Sequence, residues 1–247
     1  MRYLFLFVLF FYLNNAFAQK NVLFEFGDAK CLNSLIDGKS VDQPLRWIDV
    51  NTSSDTWEVN GDILVSTGNP IGVIRSEKMY QNFILQVEWR HLQQGGNSGV
   101  FVWCDALPDA ESRLPNGVEV QMLELDWVNQ NKKNGEVQPI AYVHGELFGA
   151  GTVTTVPDNP RGERSKSIEN RCLGVGQWNK YTVVCIDGTI KLSVNGKYVN
   201  GVRLASNRKG YLCLEAEGAP IEFKNLHLIE LDGGVISDQH IVKEILN

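Results

Sequence analysis

Apolar and polar residues alternate with a period of two along much of this chain, and tight-turn dipeptides punctuate the alternation. That period sends successive side chains to opposite faces of an extended backbone, so such segments read as half-buried strands. The pattern predicts strands over Ile63 to Ser66, Gly72 to Arg75, Phe83 to Arg90, Ser98 to Trp103 and Val118 to Leu123. Further strands are predicted over Tyr181 to Ile186, Ile190 to Val194, Gly210 to Glu215 and Ile221 to Leu231. Asp187-Gly188 and Asn195-Gly196 suit the positive φ of two-residue hairpins, and Asn60-Gly61-Asp62 punctuates the chain earlier. Amphipathic helix patterns are almost absent. Strands at this spacing, with no βα alternation, predict an all-β chain folded as a two-sheet antiparallel β-sandwich.

The polar stretch Asn129 to Gly135 and the segment Val153 to Asn170 read as loops over one rim, the latter carrying Pro157, Pro160, Arg161, Arg164 and Lys166. Asp238 to Leu246 has the pattern of a short helix capped by Ser237, or of a surface appendage. At the other end, Arg2 precedes an unbroken apolar or aromatic run from Tyr3 to Leu13, and Ala16-Phe17-Ala18 forms a small-x-small cleavage site. The run is shorter than the about 20 residues that cross a bilayer. Residues 1–18 are therefore expected to be a cleaved signal peptide, and residues 19–247 one exported domain, periplasmic or extracellular, not integral to the membrane.

The full sequence carries a net charge of −6, and cleavage removes Arg2 and no acid, leaving −7. This sign disfavours nucleic acid as a partner and is neutral toward sugars. Five cysteines, Cys31, Cys104, Cys172, Cys185 and Cys213, show no CxxC spacing. Cys185 and Cys213 lie inside strand patterns and read as small buried hydrophobes, whereas Cys31 and Cys172 sit in loops where a disulfide is open.

Alternation also sorts candidate functional residues. Leu85, Val87 and Trp89 take one side of their strand, and Gln86, Glu88 and Arg90 the other. Val118, Val120 and Met122 oppose Glu119 and Gln121. With Val100 and Val102 inward, Asn97, Phe101 and Trp103 are expected outward. Carboxylates, amides, a guanidinium and aromatic rings on one face suit a small carbohydrate or glycoside, since polar groups bind hydroxyls and rings stack on the C–H side of a pyranose. The same pattern also describes an ordinary solvated strand face.

The segment Glu119-Val-Gln121-Met-Leu-Glu124 is similar to the ExDxxE pattern of laminarinase-like retaining glycosidases, with an amide in place of the central acid. His144, between an apolar segment and Gly145, is a candidate proton shuttle or a structural loop histidine. The four histidines have no HxH or HxxxH spacing and no EF-hand loop is present, so no metal ligand is assigned and no cofactor is certain. A divalent cation held by carboxylates stays open. There is no GxSxG motif, no phosphate loop and no Rossmann fingerprint.

Several motifs occur in a fixed order: Phe83-Ile-Leu-Gln-Val-Glu88-Trp89-Arg90, Gly95-Gly-Asn97-Ser98-Gly99-Val-Phe, Gly117-Val-Glu119-Val-Gln121-Met-Leu and Gly176-Gln-Trp178-Asn179-Lys-Tyr181. Asn195-Gly196, Gly210-Tyr-Leu-Cys-Leu and Ile221-Glu-Phe223-Lys-Asn225-Leu complete the series. Together, from about Trp57 to Leu231, they resemble the 3-keto-disaccharide hydrolase domain family. The resemblance implies a concanavalin A-like jelly roll that cleaves glycosides already oxidised at C3. A C3 ketone acidifies the C2 proton; a base removes it, the C1–O bond breaks by elimination, and water adds back.

On that expectation Glu119 is the first choice of base and Glu88 the second. Gln121, Asn97 and Arg90 bind hydroxyls or the enolate, and His144 is the candidate acid. The chain departs from the family in three places. Glu124 stands where an aspartate is frequent, and Trp103 offers a stacking platform where an arginine is frequent. Leu214-Glu215-Ala-Glu217-Gly218 replaces Leu-Gln-x-His-Gly, making a more acidic site. Two other functions fit the same sandwich: a non-catalytic carbohydrate-binding module and a direct retaining glycosidase.

Overall fold

The computed structural model describes residues 22–33, 42–139 and 145–245. The signal-peptide segment and His144 lie outside the described residues. The first eight strands are β1 (Val22–Cys31), β2 (Gln43–Asp49), β3 (Trp57–Asn60), β4 (Ile63–Ser66), β5 (Gly72–Ser76), β6 (Phe83–His91), β7 (Gly99–Cys104) and β8 (Gly117–Gln121). A short helix α1 (Trp127–Gln130) follows, then β9 (Leu147–Ala150) and three two-residue strands, β10 (Val156–Pro157), β11 (Pro160–Arg161) and β12 (Arg164–Ser165). The last are β13 (Asn179–Ile186), β14 (Thr189–Val194), β15 (Lys197–Arg203), β16 (Tyr211–Ala216) and β17 (Ile221–Glu230).

Two layers result. The first runs β3–β4–β17–β6–β13–β14–β15–β10, and the second β2–β5–β16–β7–β8–β9–β12–β11. Strand β1 pairs with both β17 and β2, so hydrogen bonding passes from one layer to the other along one edge. Every pairing between named strands is antiparallel except β1 with β17. This is the all-β two-sheet sandwich expected from the alternation, and the jelly roll that the family resemblance implies. The β13–β14 and β14–β15 turns have positive φ at Asp187-Gly188 and at Asn195-Gly196, as the twist of two-residue hairpins requires.

The layers meet on one large core. Phe83, Leu85, Val87 and Trp89 point into it from β6, and Val100, Val102, Val118 and Val120 from β7 and β8. Trp47, Trp89, Trp103, Tyr181 and Phe223 are among its largest fully buried side chains. Trp47 Nε1 donates to the Phe26 carbonyl at 2.9 Å and Tyr181 Oη to the Gln121 carbonyl at 2.8 Å, whereas the buried Nε1 atoms of Trp57 and Trp89 have no partner among the described residues.

A second, smaller cluster lies on the outer face of the β5–β16–β7 strands, where Val73, Phe101, Tyr211 and Cys213 are covered by Val242 and Ile245 of the C-terminal tail. The tail is thus part of the packed structure and not a surface appendage. Its expected helix is a single 3₁₀ turn, Asp238–His240, and Ser237 makes no side-chain cap. Cys104, Cys172, Cys185 and Cys213 are buried thiols, and Cys31 Sγ contacts the Asp232 carboxylate at 3.3 Å. Among the described residues no helix is long and apolar enough to cross a membrane.

Candidate functional site

Glu119 sits within β8, paired with Phe101 of β7 and Phe148 of β9. Its neighbours Val118 and Val120 are fully buried in the main core, so alternation turns Glu119 to the outer face of the second layer, with Gln121 beside it. Asn97 joins them from the loop before β7. Gln121 Nε2 donates to Asn97 Oδ1 at 2.9 Å and to the Ser98 carbonyl at 3.1 Å. Asn97 also forms backbone bridges with Glu217 and Gly218, just beyond β16. These side chains line an open cleft of about 1020 Å³, which Trp127, Arg164 and Glu217 also face. Ligand sites commonly have volumes of about 300–1,000 Å³.

Glu215 lies deeper, two residues before Glu217 and fully buried. Gly99 makes room for it: a Cβ there would stand 3.0 Å from Glu119 Oε1 and 3.1 Å from Glu215 Oε2. The Ser98 hydroxyl, donating to the Glu215 carbonyl at 2.8 Å, fixes the loop against β16. Three carboxyls therefore crowd one water-poor patch, and each resists ionisation. Burial, then the charge of Glu217, pushes Glu119 up to about 8, with Arg164 opposing. Burial, then Glu119 and Glu217, pushes Glu215 far above the usual carboxyl range. Burial also raises Glu217, against hydrogen bonds from Glu215 and Asn97 that favour its charged form.

The positive charge comes from the β11–β12 hairpin. Glu146, fully buried beside β9, accepts from Arg161 Nε at 2.9 Å and from Arg164 Nη1 at 3.0 Å. The Arg164 guanidinium also stacks 3.6 Å over the Phe148 ring. One buried carboxylate thereby aims two cations at the cleft that Glu119 faces. Glu146 was not singled out by the sequence, because it falls in a short segment without periodicity. Arg161 and Arg164 were read only as loop residues.

Four expected site residues lie elsewhere. Glu88 and Arg90 do point outward, but from β6, in the other layer. There Glu88 accepts from Asn225 Nδ2 at 3.0 Å and lies 3.6 Å from Lys224 Nζ. Arg90 pairs with Glu222 at 2.6 Å and stacks 4.5 Å from the centre of the Trp178 ring. Because the whole core separates them from Glu119, neither reaches the cleft. Glu88 as second base and Arg90 as enolate binder are therefore corrected.

Trp103 is fully buried in the main core, its Nε1 donating to the Gln81 carbonyl at 2.8 Å. The cause is an irregularity in β7: Phe101 pairs with Cys213 and Cys104 with Tyr211, three residues against two, and Trp103 has φ of 56°. An extra residue of this kind flips the alternation, so Trp103 follows Val102 inward. It offers no stacking platform. Phe101 does face outward, under the tail-covered cluster.

Glu124 does not line the cleft. Its carboxylate accepts from the N–H groups of Gly95 at 2.7 Å, Asp126 at 2.8 Å and Val175 at 3.2 Å, clamping three loops. Glu124→Ala should therefore destabilise the fold by about 3 kcal/mol, measured by urea unfolding, because buried amide donors lose their acceptor. Among the described residues no group of three or more His, Cys, Asp or Glu side chains is spaced to hold a metal ion. His91, buried with Nε2 2.7 Å from the Met122 carbonyl, is pushed down to about 4 by desolvation and stays neutral.

Comparison with known proteins agrees with this architecture. A candidate glycosyl hydrolase from Parabacteroides distasonis superposes with a TM-score of 0.58 at 20% identity, covering 75% of this chain and 89% of that one. A second from the same organism gives 0.51 at 19% identity, covering 75% and 99%. A carbohydrate binding module from Bacillus subtilis gives 0.49 at 13% identity, covering 74% and 95%. At such identities the likeness is one of fold. No curated relative matches the chain in sequence. The model of one family matches residues 32–229, beginning upstream of the expected Trp57. The chain belongs to the 3-keto-alpha-glucoside-1,2-lyase-like domain family.

Proposed function

We propose that this protein is an exported enzyme that cleaves 3-keto-glycosides by proton abstraction at C2, elimination across C1–C2, and hydration of the product. One observation carries the reading: Glu119, held by a core-anchored strand, presents a carboxyl shifted to about 8 in a cleft that two arginines also line. A buried carboxylate with a raised pKa is a stronger base than one in water, which suits removal of a proton α to a ketone. The Glu119 carboxylate takes the C2 proton, and the electron pair passes into a C2=C3 enolate whose charge rests on the C3 oxygen. Arg161 and Arg164 are the cations available to that oxygen, and Gln121 and Asn97 supply amides for neighbouring hydroxyls. The enolate then re-forms the ketone, makes C1=C2 and expels the C1 oxygen. Trp127, half-buried in the cleft wall, takes over the stacking role expected of Trp103.

The retaining-glycosidase alternative needs two acids flanking the scissile bond. The ExDxxE-like segment does not supply them, since Gln121 is an amide and Glu124 is occupied by backbone N–H groups. Export rests on the leader pattern of residues 1–18.

Incubation with a 3-keto-glucoside and with its unoxidised parent tests the reading. Release of the aglycone from the keto form alone is expected. Release from both overturns the elimination, and binding without turnover makes the domain a sugar-binding module. Activity should climb with pH toward about 8, as the Glu119 carboxyl ionises. A rate that is flat from about pH 5 to 8 argues against Glu119 as the base.

A further inference from the structure

The two carboxyl oxygens of Glu215 are fully buried, and neither has a well-formed hydrogen-bond donor. Their polar surroundings are the carboxyls of Glu119, across Gly99, and of Glu217. Ionised carboxylates only accept, so three ionised acids would leave Glu215 without a donor and set three negative charges against the nearby Arg164 guanidinium. Protonation supplies both the missing donor and the missing charge balance. Glu217 differs from Glu215 in facing the cleft, where it meets the amide of Asn97.

We propose that Glu217 is the catalytic acid that protonates the departing C1 oxygen, and that Glu215 is a positioning residue whose own proton holds Glu217 in place. This rests on the elimination proposed above. The step balances within the cleft. Glu119 gains the C2 proton, the C1–O bond breaks with its electron pair on oxygen, and Glu217 gives that oxygen its proton. Glu119 ends neutral and Glu217 ionised, and return of one proton from Glu119 to Glu217 restores the starting state without any other reactant. The burial that raises all three acids keeps such protons available near neutral pH.

The test compares methyl 3-keto-glucoside with 4-nitrophenyl 3-keto-glucoside, whose leaving group needs no proton. Glu217→Gln should lose about 10²–10⁴-fold in kcat on the methyl glycoside and only a few-fold on the nitrophenyl one, as removal of a general acid predicts. Equal losses on both overturn the assignment of Glu217. Glu215→Leu should shift the alkaline limb of the pH–rate profile upward, because Glu217 loses the donor that favours its ionised form, and Glu215→Gln should shift it less. An unmoved limb in a folded Glu215→Leu variant overturns the positioning role.

If the wild type cleaves neither glycoside, the reaction itself falls and Glu217's role with it. A titration of ¹³C-labelled glutamate carboxyls still judges the proton sharing. Carboxyl carbons that stay protonated above about pH 6, well past an ordinary glutamate, and that titrate together support it. Overturning results are complete ionisation below that pH, or a titration that moves when EDTA is added and so reveals a bound cation.

Discussion

Glu119→Gln should yield a folded protein whose cleavage of a 3-keto-glucoside falls by about 10²–10⁴-fold, the range typical of a lost general base. The amide keeps the shape and hydrogen-bonding capacity of a protonated carboxyl but cannot accept the C2 proton. Folding survives for a related reason. A group shifted to about 8 is largely neutral at pH 7, so the neutral replacement removes no buried charge. The linkage has a definite sign. Glu119 is raised from 4.5 to about 8 on folding, so the folded state binds the extra proton between those values. Its stabilising contribution is complete below about 4.5 and is lost as pH rises through about 8. Thermal unfolding of the wild type should therefore soften across that window, with a shallower slope in the variant. Circular dichroism establishes the fold, and full activity in Glu119→Gln would remove Glu119 from the reaction.

Trp103→Ala should cost stability and not sugar recognition. Its ring is fully buried against Phe83, with centroids 6.4 Å apart and planes at 73°. Truncating a buried tryptophan opens a cavity and costs about 3–5 kcal/mol. For a domain of this size that is a fall in Tm of roughly 6–20 °C. The orphaned Gln81 carbonyl adds to the loss. Had Trp103 been a stacking platform, the result would be the reverse: an unchanged Tm and weakened sugar binding. Differential scanning fluorimetry with and without a saturable sugar ligand separates the two outcomes.

These cases show what the alternation of side chains encodes. All nine strands read from the sequence exist, because most are runs in which apolar residues recur every second position and the rest, such as Tyr211 to Leu214, are short apolar runs bounded by turns. Eight strands among the described residues are not legible: Gly27, Pro44, Gly149 and Gly201 interrupt β1, β2, β9 and β15, β3 is only four residues long, and β10, β11 and β12 are two-residue strands inside the segment that reads as a loop. For the site, alternation separates inward from outward within a strand, which is why Glu119, Gln121 and Asn97 were found together. It does not say which of two layers a strand belongs to. Glu88 and Glu119 look equivalent in sequence and face opposite sides of the molecule, because β6 pairs with β13 and β17 whereas β8 pairs with β7 and β9. A single added residue in β7 is likewise invisible to a period-two reading, and it reversed the direction of Trp103. The arginines and Glu146 met through tertiary contact alone.

The origin of the cleft's charges separates two kinds of inheritance. Glu119 belongs to a central strand whose replacement would disturb the hydrophobic interior, whereas Arg161 and Arg164 ride on a hairpin of two-residue strands at the end of the layer, tied down by Glu146, by pairing with β9 and by Ser165 bonded to Asn200. Under the elimination proposed above, exchanging that hairpin should change which glycoside the cleft accepts while leaving Glu119 in place. An engineer seeking new specificity should begin there.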